Sequence, residues 1–308
     1  NSFEVELKEI KIILDIFKLK LQVKTIGTKL KNKDKVIEFE SIKTQIPLES
    51  LFNEKFILES LDISTKTLEL KDLISFIRVL NKKPEFYILE KVVKKGFLVA
   101  DIKLNFDAKG NLKNNYNING FIKDSKINIF EQYKLDKLNF TFSYKENNLN
   151  IKNADLLYDN LNFFLKDLVF KKENNKTLIK GEIENKNIEL NDKDIQLFIR
   201  SYFPKLDIKN LKFSSKNIFS FNLNKKFQLN DVNFKSDIQI NELSLSNSLE
   251  LKNFFPKAKK DIKFSNFKIK LDYKKKDFII DGTGNVKFQD YKDELKFTIN
   301  KKDKILDF

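Results

Sequence analysis

LNFTFSYKENN, residues 138–148, decides the fold. Leu138, Phe140, Phe142 and Tyr144 occupy every second position, and Asn139, Thr141 and Ser143 fill the gaps. In an extended chain successive side chains point to opposite faces, so this is a strand with one apolar and one polar side. Lys145-Glu146-Asn147-Asn148 then breaks the pattern with residues that suit a tight turn.

The same alternation recurs on both sides. Phe17, Leu19, Leu21 and Val23 alternate with lysine and glutamine, and Ile102, Leu104 and Phe106 do likewise. Phe219, Phe221 and Leu223 follow, then Phe267, Ile269, Leu271 and Tyr273. Phe278, Ile280, Gly282, Gly284, Val286 and Phe288 read as one face, and Leu295, Phe297 and Ile299 complete the series. Polar stretches of hairpin length separate the runs: 32–35 (NKDK), 107–111 (DAKGN), 145–148 (KENN) and 172–175 (KENN). Short turns between alternating runs imply antiparallel neighbours in a meander, with about fifteen to eighteen strands by this pattern.

Helical periodicity is rare. Leu73, Phe76, Ile77 and Leu80 predict a helix over 71–81, with Pro84 as its stop and a short partner helix ending at Gly96. A second helix is expected over 191–203, capped by Asn191 and stopped by Pro204, and a weaker third over 249–260. Both main helices follow Glu-Leu, at Glu69-Leu70 and Glu189-Leu190, and both contain Phe-Ile-Arg, at residues 76–78 and 198–200. Arg78 and Arg200 are the only arginines in the chain. The recurrence suggests a long internal repeat, with approximate units 1–96, 97–204 and 205–308 in a single elongated domain.

Composition removes several classes of function. The chain has no His, Cys, Met or Trp. A Ser–His–Asp triad, a cysteine nucleophile, a disulfide framework and a zinc site are therefore excluded. Asp281 and Asp290 are nearby acids without a supporting motif, and GTGN at 282–285 precedes no helix, so it is not a phosphate loop. We expect no enzyme activity, no cofactor and no metal. The net charge of +15 would suit nucleic acid or an anionic membrane. Lysine is spread evenly, however, arginine is nearly absent, and Lys, Asn, Ile and Phe share AT-rich codons; the aromatics sit at core-like positions, not on stacking platforms. Nucleic acid is not expected as a partner.

A one-sided sheet must cover its apolar face. A ten-residue strand is about 33 Å long and carries four or five large side chains on that face. At about 25 cal/mol per Å², leaving many such stripes in water costs tens of kcal/mol. Three short helices cannot cover more than fifteen strands. Either the sheet closes on itself as a filled sandwich or barrel, or it bends around an apolar ligand. The inward residues read as large throughout, with little of the small–large interleaving of a closed core, which favours the second arrangement. The expected fold is mostly β: a long antiparallel meander curved into an open apolar groove, with a few short helices at repeat junctions. On that fold Arg78 and Arg200 are helix residues near a groove rim, placed to pair with a carboxylate or to meet phosphate.

The stretch LFNEKFILESLDIST, 51–65, followed by Glu-Leu and a short helix, resembles the repeated unit of the AsmA-like bacterial proteins, a superfamily that includes TamB and YhdP. The closing meander FIIDGTGNVKF, 278–288, has the same look. The resemblance rests on pattern and covers most of the chain. It implies a periplasmic β-groove protein, anchored in the inner membrane, through which phospholipid moves passively toward the outer membrane. Acyl chains would lie on Leu138, Phe140, Phe142, Tyr144, Phe219, Phe221, Phe267, Ile269, Leu271, Tyr273, Ile280, Val286, Phe288, Phe297 and Ile299, with head groups at an open, lysine-lined edge. The chain opens on Asn1 and its first residues read as mid-strand sequence, so we expect an internal piece of a longer protein whose anchor lies upstream. The alternatives are a lipid-free sandwich or adhesin-like array, and an outer-membrane barrel.

Overall fold

Glu146 and Asn147 both take positive φ, 51° and 64°. They link β10 (Tyr133–Lys145) to β11 (Asn148–Tyr158), whose end residues Lys145 and Asn148 pair directly. This is the two-residue turn whose twist matches that of antiparallel strands. Lys275 and Lys276 repeat the geometry at φ 52° and 87° between β16 (Asp261–Lys274) and β17 (Asp277–Lys287). The turn at 107–111 closes differently. Gly110 supplies φ 80°, and the Asp107 carboxylate accepts the backbone N–H groups of Lys109 and Asn111 at 2.8 Å each. Those bonds, the one from the Asn111 backbone first, hold the Asp107 carboxyl below its ordinary range.

The computed structural model describes residues 4–32, 35–52, 57–80, 84–129, 133–158, 161–196, 199, 207–226, 228–246, 255–302 and 305–307. The protein is mostly β, an antiparallel meander with a few short helices. The chain forms two compact units, Asn1–Tyr158 and Asp159–Phe308.

In the first unit β2 (Glu9–Asp15), β3 (Lys20–Ile26), β5 (Lys35–Pro47), β6 (Ser60–Thr65), β8 (Val93–Asn105), β9 (Asn117–Ile129), β10 and β11 pair in that order. Gly27 at φ 63° turns the chain out of β3 into β4 (Lys29–Asn32), which pairs the first half of β5 and also β1 (Glu4–Glu6). The two-residue β7 (Leu68–Glu69) pairs the start of β8. In the second unit β12 (Leu161–Glu173), β13 (Lys176–Leu190), β14 (Ile208–Asn224), β15 (Leu229–Ser246), β16, β17, β18 (Asp293–Lys302) and β19 (Ile305–Asp307) pair strictly in sequence order. Among the described residues no ladder joins the first strand to the last in either unit, so neither is a closed barrel.

The helices differ from expectation at their ends. α1 (Leu48–Phe52) was not legible in the pattern. α2 (Leu70–Leu80) matches the predicted helix, but Pro84 does not merely stop it: it opens α3 (Pro84–Val92), where its missing N–H costs nothing. Val93–Lys95, expected to end the partner helix, already belong to β8. α4 (Asp192–Ile195) begins the second helix. Asn191 caps it as expected: its Oδ1 accepts the Asp194 N–H at 3.1 Å, and Asp194 Oδ2 accepts the Asn191 N–H at 3.1 Å. Residues 200–206, with Arg200 and Pro204, and 249–254 lie outside the described residues; 255–260 are turn and coil, not helix. Among the described residues no helix is long and apolar enough to cross a membrane. Phe17 and Leu19, expected in a strand, lie in a turn, with Leu19 at φ 51°, because the strand pairing of β2 and β3 ends at Asp15 and Lys20.

The polar face explains the even spread of lysine. Across the second unit Glu184, Lys216, Asp237, Lys270 and Asp281 pair in register, so charge alternates in sign from strand to strand. Contacts such as Lys216–Glu182 at 2.8 Å and Lys235–Asp272 at 2.8 Å knit this face.

Candidate functional site

The apolar face forms rows running across the strands. In the first unit Ile10, Thr25, Ile42, Ile63, Ile102, Ile118, Tyr144 and Leu149 oppose one another pairwise through eight strands, with Thr25 the single polar member. Beside this row, Leu98, Ile122 and Phe140 form a second. In the second unit Leu190, Leu211, Leu243, Phe264 and Val286 make one row, and Ile188, Phe213, Ile240 and, next to it on β16, Phe267 make another. Phe219, Phe234, Tyr273 and Phe278 form a third.

The structure thus brings Leu138, Phe140, Phe142 and Tyr144 together on one face of the first unit, and Phe219, Phe221, Phe267, Ile269, Leu271, Tyr273, Ile280, Val286, Phe297 and Ile299 together on one face of the second. Phe288 departs from this set. It lies past the end of β17, where its ring meets Phe255 edge-on at 5.1 Å and its carbonyl accepts the Lys259 N–H.

Burial separates two regions of the face. Buried clusters gather where helices pack. Ile37, Leu68 and Phe76 form one and Leu70, Ile74 and Val93 another, both involving α2. Leu161, Ile188, Leu190, Ile195 and Ile208 form a third around α4. Leu68 and Leu190, 122 positions apart, are each buried in the cluster of their own unit. Outside these clusters most stripe residues are half-buried, although Ile240, Phe267 and Val286 are buried and Ile10 is exposed. Of the fifteen candidate residues, only Phe267 and Val286 are buried, and none is fully exposed.

Two properties of the face escaped sequence reasoning. First, large residues do interleave with small ones, contrary to the expectation above. A Cβ added at Gly120 would lie 2.9 Å from the Phe142 ring, one at Gly181 2.9 Å from Phe219, one at Gly282 2.3 Å from Phe297 and one at Gly284 2.4 Å from Phe267. The rings lie down over glycines of the neighbouring strand, so the interleaving runs across strands and is invisible along any one of them. Secondly, the face of the second unit is crossed by a polar group of residues. Ser215 N–H donates to Asn185 Oδ1, Asn217 Nδ2 donates to Ser215 Oγ at 2.8 Å, and Ser236 Oγ donates to Asn217 Oδ1 at 2.6 Å. These bonds satisfy one another, so the polar group adds no open hydrogen-bonding demand to the apolar surface.

An open cavity of about 380 Å³ is lined by Asn185, Ser215, Ile238, Ile269 and their flanking residues. Another, of about 370 Å³, is lined by Gly181, Phe219, Phe234 and theirs. Tyr116 stacks on Tyr144 with centroids 5.6 Å apart and their hydroxyls 3.4 Å apart. That hydrogen bond, and then partial burial, pushes the Tyr144 phenol above its ordinary value. Arg78 is engaged by Glu90 at 3.1 Å, a carboxylate partner on α3. Asp281 accepts the Thr298 hydroxyl at 2.7 Å, and Asp290 pairs with Lys259 at 3.0 Å. Compared with known proteins, the chain matches no family model, no curated protein and no solved structure.

Proposed function

We propose that the apolar face of each unit carries lipid acyl chains, and that the chain is a segment of a periplasmic, AsmA-like protein moving phospholipid passively between the inner and outer bacterial membranes. Inner-membrane attachment would come from a segment other than this one. No chemical step on the lipid is part of this reading.

One observation carries it. Most stripe residues outside the helix-packed clusters, thirteen of the fifteen candidates among them, are only half-buried. A filled sandwich would bury the inward residues of both walls, as interiors packed to crystal density do. An acyl chain on the half-buried stripes would remove that surface from water at about 25 cal/mol per Å² without any specific polar contact. Rows of near-equivalent residues present similar contacts at each step, which suits movement along them.

The test is lipid extraction and mass spectrometry of the chain purified from cells, for the wild type and for the Phe140→Glu, Ile269→Glu double variant. The reading expects phospholipid with the wild type and its loss from the variant while the circular dichroism spectrum persists. A well-folded wild-type protein free of lipid would overturn it in favour of a lipid-free β array.

A further inference from the structure

One corner of the second unit's polar face breaks its alternation of charge. Ser244 on β15, Lys263 on β16 and Lys287 on β17 pair in register, so two lysines stand directly opposite each other. Like charges so placed repel. The coil at 255–260 brings more positive charge to the same place. It is pinned to the end of β17, because the Lys259 N–H donates to the Phe288 carbonyl at 2.7 Å, and Ala258 is buried. An open cavity of about 270 Å³ is lined there by Lys259, Lys260, Asp261, Lys263 and Lys287. Both nearby carboxylates are already engaged, Asp261 by Lys209 at 2.6 Å and Asp290 by Lys259 at 3.0 Å. The surplus charge reaches them too. The Asp261 carboxyl is held below its ordinary range by the Lys209 hydrogen bond first, with Lys260 and Lys263 adding to the field. Lys259 does the same to Asp290, with Lys287 and Lys257 adding. Among the described residues no carboxylate forms an ion pair with Lys260, Lys263 or Lys287.

We propose that this corner is a binding site for a phosphate group, carried by a free anion or by a lipid head group. Charge and room both favour it. Phosphate oxygens accept hydrogen bonds from several ammonium groups at once, and lysine binds phosphate as a point charge on a flexible stem. An anion between Lys263 and Lys287 replaces their mutual repulsion by attraction to a shared partner. The volume suits one phosphate and its nearest waters, each water taking about 30 Å³. A neutral or cationic solute gains nothing from the surplus charge. Lys263 and Lys287 alternate along their strands with Ile262, Phe264 and Val286 of the apolar face, so the site opens on the opposite side of the sheet. It is therefore separate from lipid carriage on the stripes and stands if that reading fails.

The test compares the wild type with a Lys263→Gln, Lys287→Gln variant and a Lys275→Gln, Lys276→Gln control. The control removes the same charge from the turn at the other end of β16. One arm titrates inorganic phosphate by calorimetry against chloride of equal ionic strength. The other measures co-sedimentation with phosphatidylcholine vesicles that contain phosphatidylglycerol. The expected result is binding in at least one arm that weakens about fivefold or more in the Lys263, Lys287 variant and is unchanged in the control, the scale of one exposed ion pair lost. Binding of phosphate itself assigns the site to a free anion, and binding of vesicles alone assigns it to a head group. No binding in either arm, or equal loss in both variants, overturns the proposal, the second because diffuse net charge would then explain everything. In chloride alone the Lys263, Lys287 variant should unfold no earlier than the wild type, since it removes a repulsive pair. An earlier midpoint would mean that these lysines are neutralised within the chain, and the site would be lost with them.

Discussion

The ring of Phe297 lies over Gly282, its cross-strand partner on β17, so closely that a Cβ on the glycine would come within 2.3 Å of it. Gly282→Val forces that ring off the sheet and should cost about 1–3 kcal/mol in denaturant unfolding, the range for overpacking. The valine should cost much less when combined with Phe297→Ala, because the two residues occupy one volume. Equal costs in the two backgrounds would show that the ring has room to move.

Ile195, the last residue of α4, is fully buried in one cluster with the strand residues Leu161, Ile188, Leu190 and Ile208. Ile195→Ala should destabilise by about 2–5 kcal/mol, the usual cost of a large-to-small change in a core. Removing the Asn191 cap by Asn191→Ala should cost about 1 kcal/mol. Ile269→Ala, on a half-buried stripe, should cost clearly less than Ile195→Ala. Thermal or denaturant unfolding of the three variants checks the order.

Five Asn and Asp residues inside strands hold φ near 50°: Asp124, Asn153, Asn187, Asp231 and Asn266. Each lies where its own strand advances three residues against two on a neighbour, which is a β-bulge. Asn266→Val should destabilise by about 1–2 kcal/mol, since a β-branched residue resists that backbone. Asn266→Gly should be close to neutral. If both substitutions behave alike in unfolding experiments, backbone geometry is not what selects asparagine there.

These bulges also mark how far the chain could be read unaided. Strand identity was legible because alternation along 138–144 and 267–273 is a local property. The bulge between Phe264 and Phe267, with Asn266 in the gap, shows only in the pairing register. The cross-strand rows, the glycines beneath phenylalanine rings and the Asn185–Ser215–Asn217–Ser236 group depend on which strand lies beside which and at what offset. The missed strand β2 had Ile10, Ile12 and Leu14 in phase, but Ile13 filled the polar side, because both faces of that strand are exposed. Pro84 was misread because a proline that ends one helix is equally suited to begin the next.

Tyr144 offers a test at high pH. Its hydrogen bond with Tyr116 raises the phenol above its ordinary value of about 10. A folded-state value above the unfolded one means that the bond's stabilisation is fully present below the unfolded value. It is lost as pH rises through the folded value. Isotope-labelled tyrosine NMR should show Tyr144 titrating above the ordinary tyrosine value, and Tyr116→Phe should move it back toward that value. Titration of Tyr144 at the ordinary value would mean the bond is not kept in solution.

In the second unit the strands from β12 to β19 pair one with the next in chain order. Most contacts therefore join residues a hairpin apart, so loop closure is inexpensive and relative contact order is low for an all-β protein. Assembly can proceed like a zip, one hairpin templating the next, and should be faster than in Greek-key sheets of equal length. The same architecture lets evolution lengthen or shorten the array by whole hairpins, because no distant strand has to find a new neighbour.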